Sequence, residues 1–289
     1  MQVNMANPIV KFHCSRWGHE SVPWNDFVSK VKQHGFAGVE IIALRFPEQK
    51  QEMLYALSDS GLDYSFIYTE KKVDNDFKKY LRVMEAQLLE IATTYRAGSR
   101  SPSTIIAQIG REYFTPDQVG ECFAVCDKVS SETGVPVIQE THRFRWSYAA
   151  HVVKNYLEQF PNLKLALDLS HWFCVSESFL EDQQEAIDIA IDHTVHLHAR
   201  VGHTQGPQVT DPRTPENANA LAHHLRYWDQ WINNLRSKGV AECTITPEFG
   251  PYPYMIHSPA DNKPVADLWE VNCWMKEMLS DRYDDNDTA

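Results

Sequence analysis

The chain has 289 residues and a formal net charge of −12, with 43% hydrophobic and 23% charged residues. That balance is globular and excludes a collagen, a coiled coil or a wholly disordered chain. The acidic excess argues against nucleic acid as a partner, since duplex binding leaves a basic footprint, and no apolar run is long enough for a bilayer, so no membrane is expected.

In chain order, short apolar runs read as strands at 8–14, 37–42, 63–68, 104–109, 135–141, 163–169, 194–199 and 242–248. Helical patterns fall between them at 25–34, 76–95, 116–134, 147–159, 177–191, 217–238 and 265–279. Gly35 is a good helix terminator. Thr115 followed by Pro116 is an N-cap with proline at the first helical position. Strands alternating with helices imply parallel pairing. Eight such units in this length predict an α/β fold, a single-domain (β/α)8 TIM barrel over residues 1–280, with an acidic, disordered tail at 281–289. The alternative, an open doubly wound sheet, needs a glycine-rich phosphate loop, and neither GxGxxG nor GxxxxGK[ST] occurs. The connection 200–216 is long, carries Pro207, Pro212 and Pro215, and is expected to be functional. It closes the site or meets a second copy of the chain, so a homo-oligomer is one expectation.

Residues 1–20 lack the charged and apolar regions of a signal peptide. Cys14, Cys122, Cys126, Cys174, Cys243 and Cys273 form no CxxC pair. Reduced thiols and a cytoplasmic location are expected.

Four predicted strand ends carry metal-ligating side chains: Glu140 in VIQETH, Asp168 in LALDLSH, His198 in VHLHAR and Glu248 in TITPEFG. In a barrel, consecutive strand ends converge on one mouth, and active sites sit there. Alternation along a strand puts Ala166 and Lys164 on the face of Asp168, and Thr246 and Thr244 on that of Glu248. His196 would lie one layer below His198, and reads as a hydrogen-bonded core histidine. Three carboxylates and one imidazole make a mostly oxygen site for one divalent ion, Mn, Mg or Co, with Zn also accepted. Such an ion would polarise a carbonyl and stabilise an enediolate, with a neighbouring carboxylate moving the proton. His223 and His224 read as surface residues. Trp228 and Trp231, with Leu221, Leu225 and Leu235, read as a helix face packed on the barrel.

The succession E-T-H at 140–142, D-L-S-H at 168–171, H-L-H at 196–198 and P-E-F-G at 247–250 resembles the xylose isomerase-like TIM barrel superfamily. Within it, the chain looks like the sugar phosphate isomerase/epimerase group that contains the ketose 3-epimerases. The resemblance runs from Pro8 to about Leu279, and G-V-E at 38–40 adds to it. It implies an isomerase of carbohydrate metabolism that binds one metal through Glu140, Asp168, His198 and Glu248. It also implies that Glu140 and Glu248 exchange protons with opposite faces of the substrate carbon, and that His171 and Arg200 contact substrate oxygens.

The chain departs from the pattern in E-T-H-R-F-R, which brings His142, Arg143 and Arg145 to the mouth. Arg143 or Arg145 would bind a carboxylate, a phosphate or a second sugar ring, or else pair with an acidic loop. His203 and the 203–209 loop add further groups. Trp17, Trp146 and Trp172 would stack on a sugar or roof the barrel. The expected function is a metal-dependent sugar epimerase or isomerase acting on a small carbohydrate. The alternatives are a keto-sugar or keto-glycoside lyase or hydratase on the same site, an apurinic-site endonuclease-like phosphodiesterase with three zinc ions, and a non-catalytic binding barrel. The phosphodiesterase needs a histidine after the fourth strand and a D-x-H after the seventh. The chain has A-Q-I-G-R-E and D-P-R there.

Overall fold

A computed structural model of the protein describes residues 7–70 and 75–284. Eight parallel strands close into a barrel in sequence order, a single-domain (β/α)8 TIM barrel. They are β1 (Ile9–Ser15), β2 (Gly38–Ile42), β3 (Asp63–Thr69), β4 (Thr104–Gln108), β5 (Val137–Glu140), β6 (Leu165–Leu167), β7 (Thr194–His198) and β8 (Glu242–Thr246). The helices are α1 (Trp24–Gln33), α2 (Lys50–Ser60), α3 (Phe77–Thr94), α4 (Pro116–Thr133), α5 (Ala150–Gln159), α6 (Leu169–Ser176), α7 (Gln184–His193), α8 (Ala218–Ser237) and α9 (Leu268–Tyr283). No described helix is long and apolar enough to cross a membrane. The six cysteines are free thiols.

Contacts cluster into two units, His13–Tyr148 and the residues flanking it on both sides. In the first, the end of β1 pairs with β2, and β2 to β5 pair in turn, all parallel. Phe66, Ile105, Ile106 and Val129 are fully buried there, each worth roughly 1.5–3 kcal/mol of transfer free energy. α4 starts as the sequence predicts: Thr115 and Gln118 form a reciprocal capping box ahead of Pro116. It ends at Gly134, whose φ of +71° suits a residue without Cβ and whose N–H closes on Ser130 O at 2.9 Å.

In the second unit, β6, β7 and β8 pair in order and β8 pairs with the start of β1. Trp228 and Trp231 of α8 are fully buried, and Trp231 Nε1 donates to Thr194 O at 3.0 Å. This agrees with the predicted packing face.

Several expectations need correction. α2 and α6 lie where no helix was predicted. α6 buries Leu169 to Phe173 in succession, so it lacks the one-sided periodicity that marks a surface helix. The helix expected from 177 begins at Gln184; Glu177 instead ends α6 in the left-handed region at φ 51°. Lys164 is exposed, not inward-facing. The register against β7 shifts between Leu165 and Ala166, and such a shift breaks simple alternation. The predicted tail starts inside a helix: α9 continues to Tyr283, where Arg282 makes two hydrogen bonds to Asp229 and Tyr283 is buried. Residues 285–289 of that tail lie outside the described residues.

Candidate metal and substrate site

β6 stops at Leu167, so Asp168 sits just past the strand, as the N-cap of α6. Its Oδ1 accepts from Ser170 N at 2.8 Å. Its Oδ2 accepts a short hydrogen bond from Arg200 Nη2. The strand-end aspartate is therefore both a helix cap and part of a charged cluster. Arg200 Nη2 also donates to His171 Nε2 at 2.9 Å and lies 3.7 Å from Glu248 Oε2. Its Nε donates to Ser170 Oγ at 3.2 Å. His198, the last residue of β7, places Nδ1 3.4 Å from Glu248 Oε2. Asp168, His171, His198, Arg200 and Glu248 are all buried. His196 bonds Thr244 Oγ1 at 2.6 Å and Thr246 Oγ1 at 3.3 Å, the core role expected of it.

Neighbouring groups hold these residues in place. Phe249 N donates to Asn272 Oδ1 at 2.9 Å, and Asn272 Nδ2 donates to Phe249 O at 3.1 Å. That reciprocal pair fixes the residue next to Glu248 onto α9. Gln208 makes a similar pair with Gly250: Gly250 N donates to Oε1 at 2.8 Å and Nε2 donates to Gly250 O at 3.1 Å. The long 200–216 connection is thereby tied to the segment after β8. Gly202 sits where a Cβ would come within 2.8 Å of Ser170 Cβ and 3.0 Å of the Pro207 backbone. Its N–H donates to His224 Nε2 at 3.0 Å.

His224 is thus a correction: it is fully buried rather than at the surface. Burial, then the charges of Arg200 and His223, hold its pKa down to about 3. Asn272, Gln208, Ser170 and His224 were missed as site residues. For Asn272 a signal existed, a lone amide among the buried Val271, Met275 and Leu279 of its helix.

On the other unit, Glu140 ends β5 and is buried. Its Oε2 accepts from Gln108 Nε2 of β4 at 2.8 Å. Its carbonyl accepts from Ser147 Oγ, and Ser147 Oγ accepts from His142 N at 3.1 Å. His142 Nδ1 donates to Arg143 O. His142 and Arg143 are half-buried. Arg145 is 5% exposed, and Nη2 donates to Thr69 Oγ1 at 2.8 Å and Glu70 O at 3.3 Å. Trp146 and Trp172 are buried within the fold, Trp146 edge-on to Phe123 at 4.8 Å.

The ligand atoms of Asp168, His198 and Glu248 lie within 4.8 Å of one another. The described residues thus hold a carboxylate and histidine cluster able to bind a metal.

No family model matches the chain, and no curated protein is similar enough to count as a relative. Solved structures are similar. A 3-keto-D-glucoside 4-epimerase from E. coli aligns with TM-score 0.61 and 15% identity over 94% of this chain and 99% of that one. A probable 3-DHS dehydratase of petrobactin synthesis from Bacillus anthracis gives 0.60 and 16% over 95% and 100%. A xylose isomerase-like TIM barrel protein from Mycobacterium smegmatis, in complex with magnesium, gives 0.53 and 12% over 85% and 91%. An endonuclease IV from Thermus thermophilus shares the fold too. At such identities the likeness is one of fold, the xylose isomerase-like TIM barrel named for the M. smegmatis protein.

Proposed function

We propose that this barrel is a divalent-metal-dependent enzyme that epimerises or isomerises a small carbohydrate or keto-sugar. The observation that carries the reading is the gathering of donor atoms from Asp168, His198 and Glu248, all buried, within 4.8 Å of one another; Glu140, buried at the end of β5, is added to them as the fourth ligand on its place in the strand pattern. Carboxylates that close repel one another, and a multivalent cation relieves the repulsion. The oxygen-rich set suits Mn²⁺, Mg²⁺ or Co²⁺ and accepts Zn²⁺. When bound, such an ion supplies Lewis-acid polarisation of a carbonyl.

The chain's own residues carry the proton. Glu140 is oriented by the Gln108 amide, and Glu248 by the Phe249–Asn272 pair. One glutamate removes the proton from the carbon beside the carbonyl, and the other returns a proton to the opposite face, which inverts that carbon. Return to the adjacent carbon interconverts aldose and ketose. Arg200 and His171 bind substrate oxygens from one side, and His142 and Arg143 from the loop after β5. A second reading, loss of water after the same proton removal, is supported by the dehydratase among the similar structures.

The test is metal content per chain, followed by exchange of substrate carbon-bound hydrogen with D2O across ketoses and 3-keto-glucosides. One divalent ion per chain, with exchange abolished in Glu248→Gln while the ion is retained, is the expected result. Retained exchange in that variant overturns the two-glutamate step. No ion after reconstitution overturns the site, and three zinc ions per chain turn the reading toward a phosphodiesterase.

A further inference from the structure

Arg145 has more hydrogen-bonding capacity than the protein uses. It is 5% exposed, its Nη2 is committed to Thr69 and Glu70 O, and its Nε and Nη1 are buried with no hydrogen-bond partner. Beside it, Glu70 Oε2 is buried and also lacks a partner. Burial raises the Glu70 carboxyl to about 7 and lowers the pKa of Arg145. A buried polar group without a partner costs about 1–3 kcal/mol, so this arrangement is strained unless something else completes it.

Two further observations point to a ligand. Phe144 has φ +71°, a rare conformation for an aromatic residue, and leaves its ring 52% exposed. The ring lies 3.4 Å from the Arg111 guanidinium and 5.7 Å from that of Arg145. Thr69 and Glu70, the residues Arg145 engages, line an open cleft of about 290 Å³ with Ile42, Leu44, Arg45 and Gln87. That volume is near the lower end of small-molecule pockets, roughly 300–1,000 Å³.

We propose that Arg145, Glu70 and Phe144 form a subsite for a second sugar ring, so that the substrate is a glycoside or disaccharide rather than a free monosaccharide. This rests on the sugar-acting reading above. Arg145 offers N–H donors and Glu70 an acceptor, the pairing that neighbouring hydroxyls satisfy because each hydroxyl both donates and accepts. Phe144 offers an apolar face for the C–H side of a ring. An ionised carboxylate would meet Arg145 but has no donor to offer Glu70 Oε2.

The experiment is equilibrium binding of two inert probes, methyl β-glucoside and cellobiose, to the full chain, with metal content and thermal unfolding measured on the same samples. Cellobiose should bind about tenfold more tightly than the glucoside, a difference of about 1.4 kcal/mol. Arg145→Met should erase that advantage without changing glucoside affinity. Glu70→Gln, which keeps the backbone acceptor for Arg145, should reduce it in a variant of normal stability. Equal binding of the two probes, or an advantage that survives both substitutions in folded protein, overturns the subsite. Displacement of cellobiose by inorganic phosphate overturns it in favour of an anion site. Failure of the parent reading is read separately, as absent metal.

Discussion

Arg200 and Asp168 form a buried ion pair in which the aspartate divides its two oxygens between tasks: Oδ1 starts helix α6 and Oδ2 meets the guanidinium. The same guanidinium lies 3.7 Å from Glu248. Removing it strands a carboxylate in a dry site, which costs about 3–5 kcal/mol. Arg200→Met should therefore lower the melting temperature of metal-free protein. Added Mn²⁺ should raise that temperature by more than it does in the parent, because the ion then faces no competing cation. Differential scanning fluorimetry with and without the ion checks this, and an equal shift in both proteins contradicts it.

Gln108 touches Glu140 through one hydrogen bond of 2.8 Å. Gln108→Met keeps the side-chain length and removes the donor. Metal affinity or turnover should fall about 10–100-fold, the usual consequence of losing a partner that orients a ligand. Metal titration and substrate exchange on the variant measure the two effects separately.

Gly202→Ala should disturb the connection after β7 rather than the ligands. The new methyl group meets Ser170 Cβ and the Pro207 backbone, an overpacking that costs roughly 1–3 kcal/mol. Chemical denaturation should show that loss. Metal content should stay at the parent level, since no ligand moves out of the set.

His224 gives a pH signature. Its pKa is pushed from 6.5 to about 3 in the fold, so below 6.5 the unfolded chain binds a proton that the folded one refuses. The stability it allows is fully present above about pH 6.5 and is lost as pH falls toward 3. The slope is at most about 1.4 kcal/mol per pH unit. His224→Gln keeps an acceptor for Gly202 N–H and does not titrate. Urea unfolding of the variant should lose less stability than the parent between about pH 7 and about pH 4.

Much of the barrel was legible because its strands are short apolar runs separated by helices with ordinary caps, as at Thr115 and Gly134. The ends of β5 and β7 were readable because Glu140 and His198 are polar residues that close apolar runs. Asp168 and Glu248 lie past their strands, yet their positions within the repeat still pointed to the mouth. The α6 helix was invisible because it buries five successive residues, Leu169 to Phe173, polar and apolar alike, and so shows no one-sided period. His224 was misread because it sits beside the half-buried His223 on a mixed helix face, and its packing on Phe173 of α6 and the approach of Gly202 make it internal. The idle donors of Arg145 depend on the distance between the ends of β3 and β5, which no local pattern encodes.

The paired amide bonds between Gln208 and Gly250 turn the connection after β7 into a brace, not a lid. Residues 201–209 are further pinned by Val209 N on Val201 O and by the reciprocal bonds of His203 and Gly206. Extra residues inserted within 203–208 would break that brace and shift the backbone that carries Glu248. Inserted beyond it, near Arg213 and Thr214, they would project as a surface excursion. Length variation in homologous chains should therefore concentrate in 211–216 and be purged from 203–208.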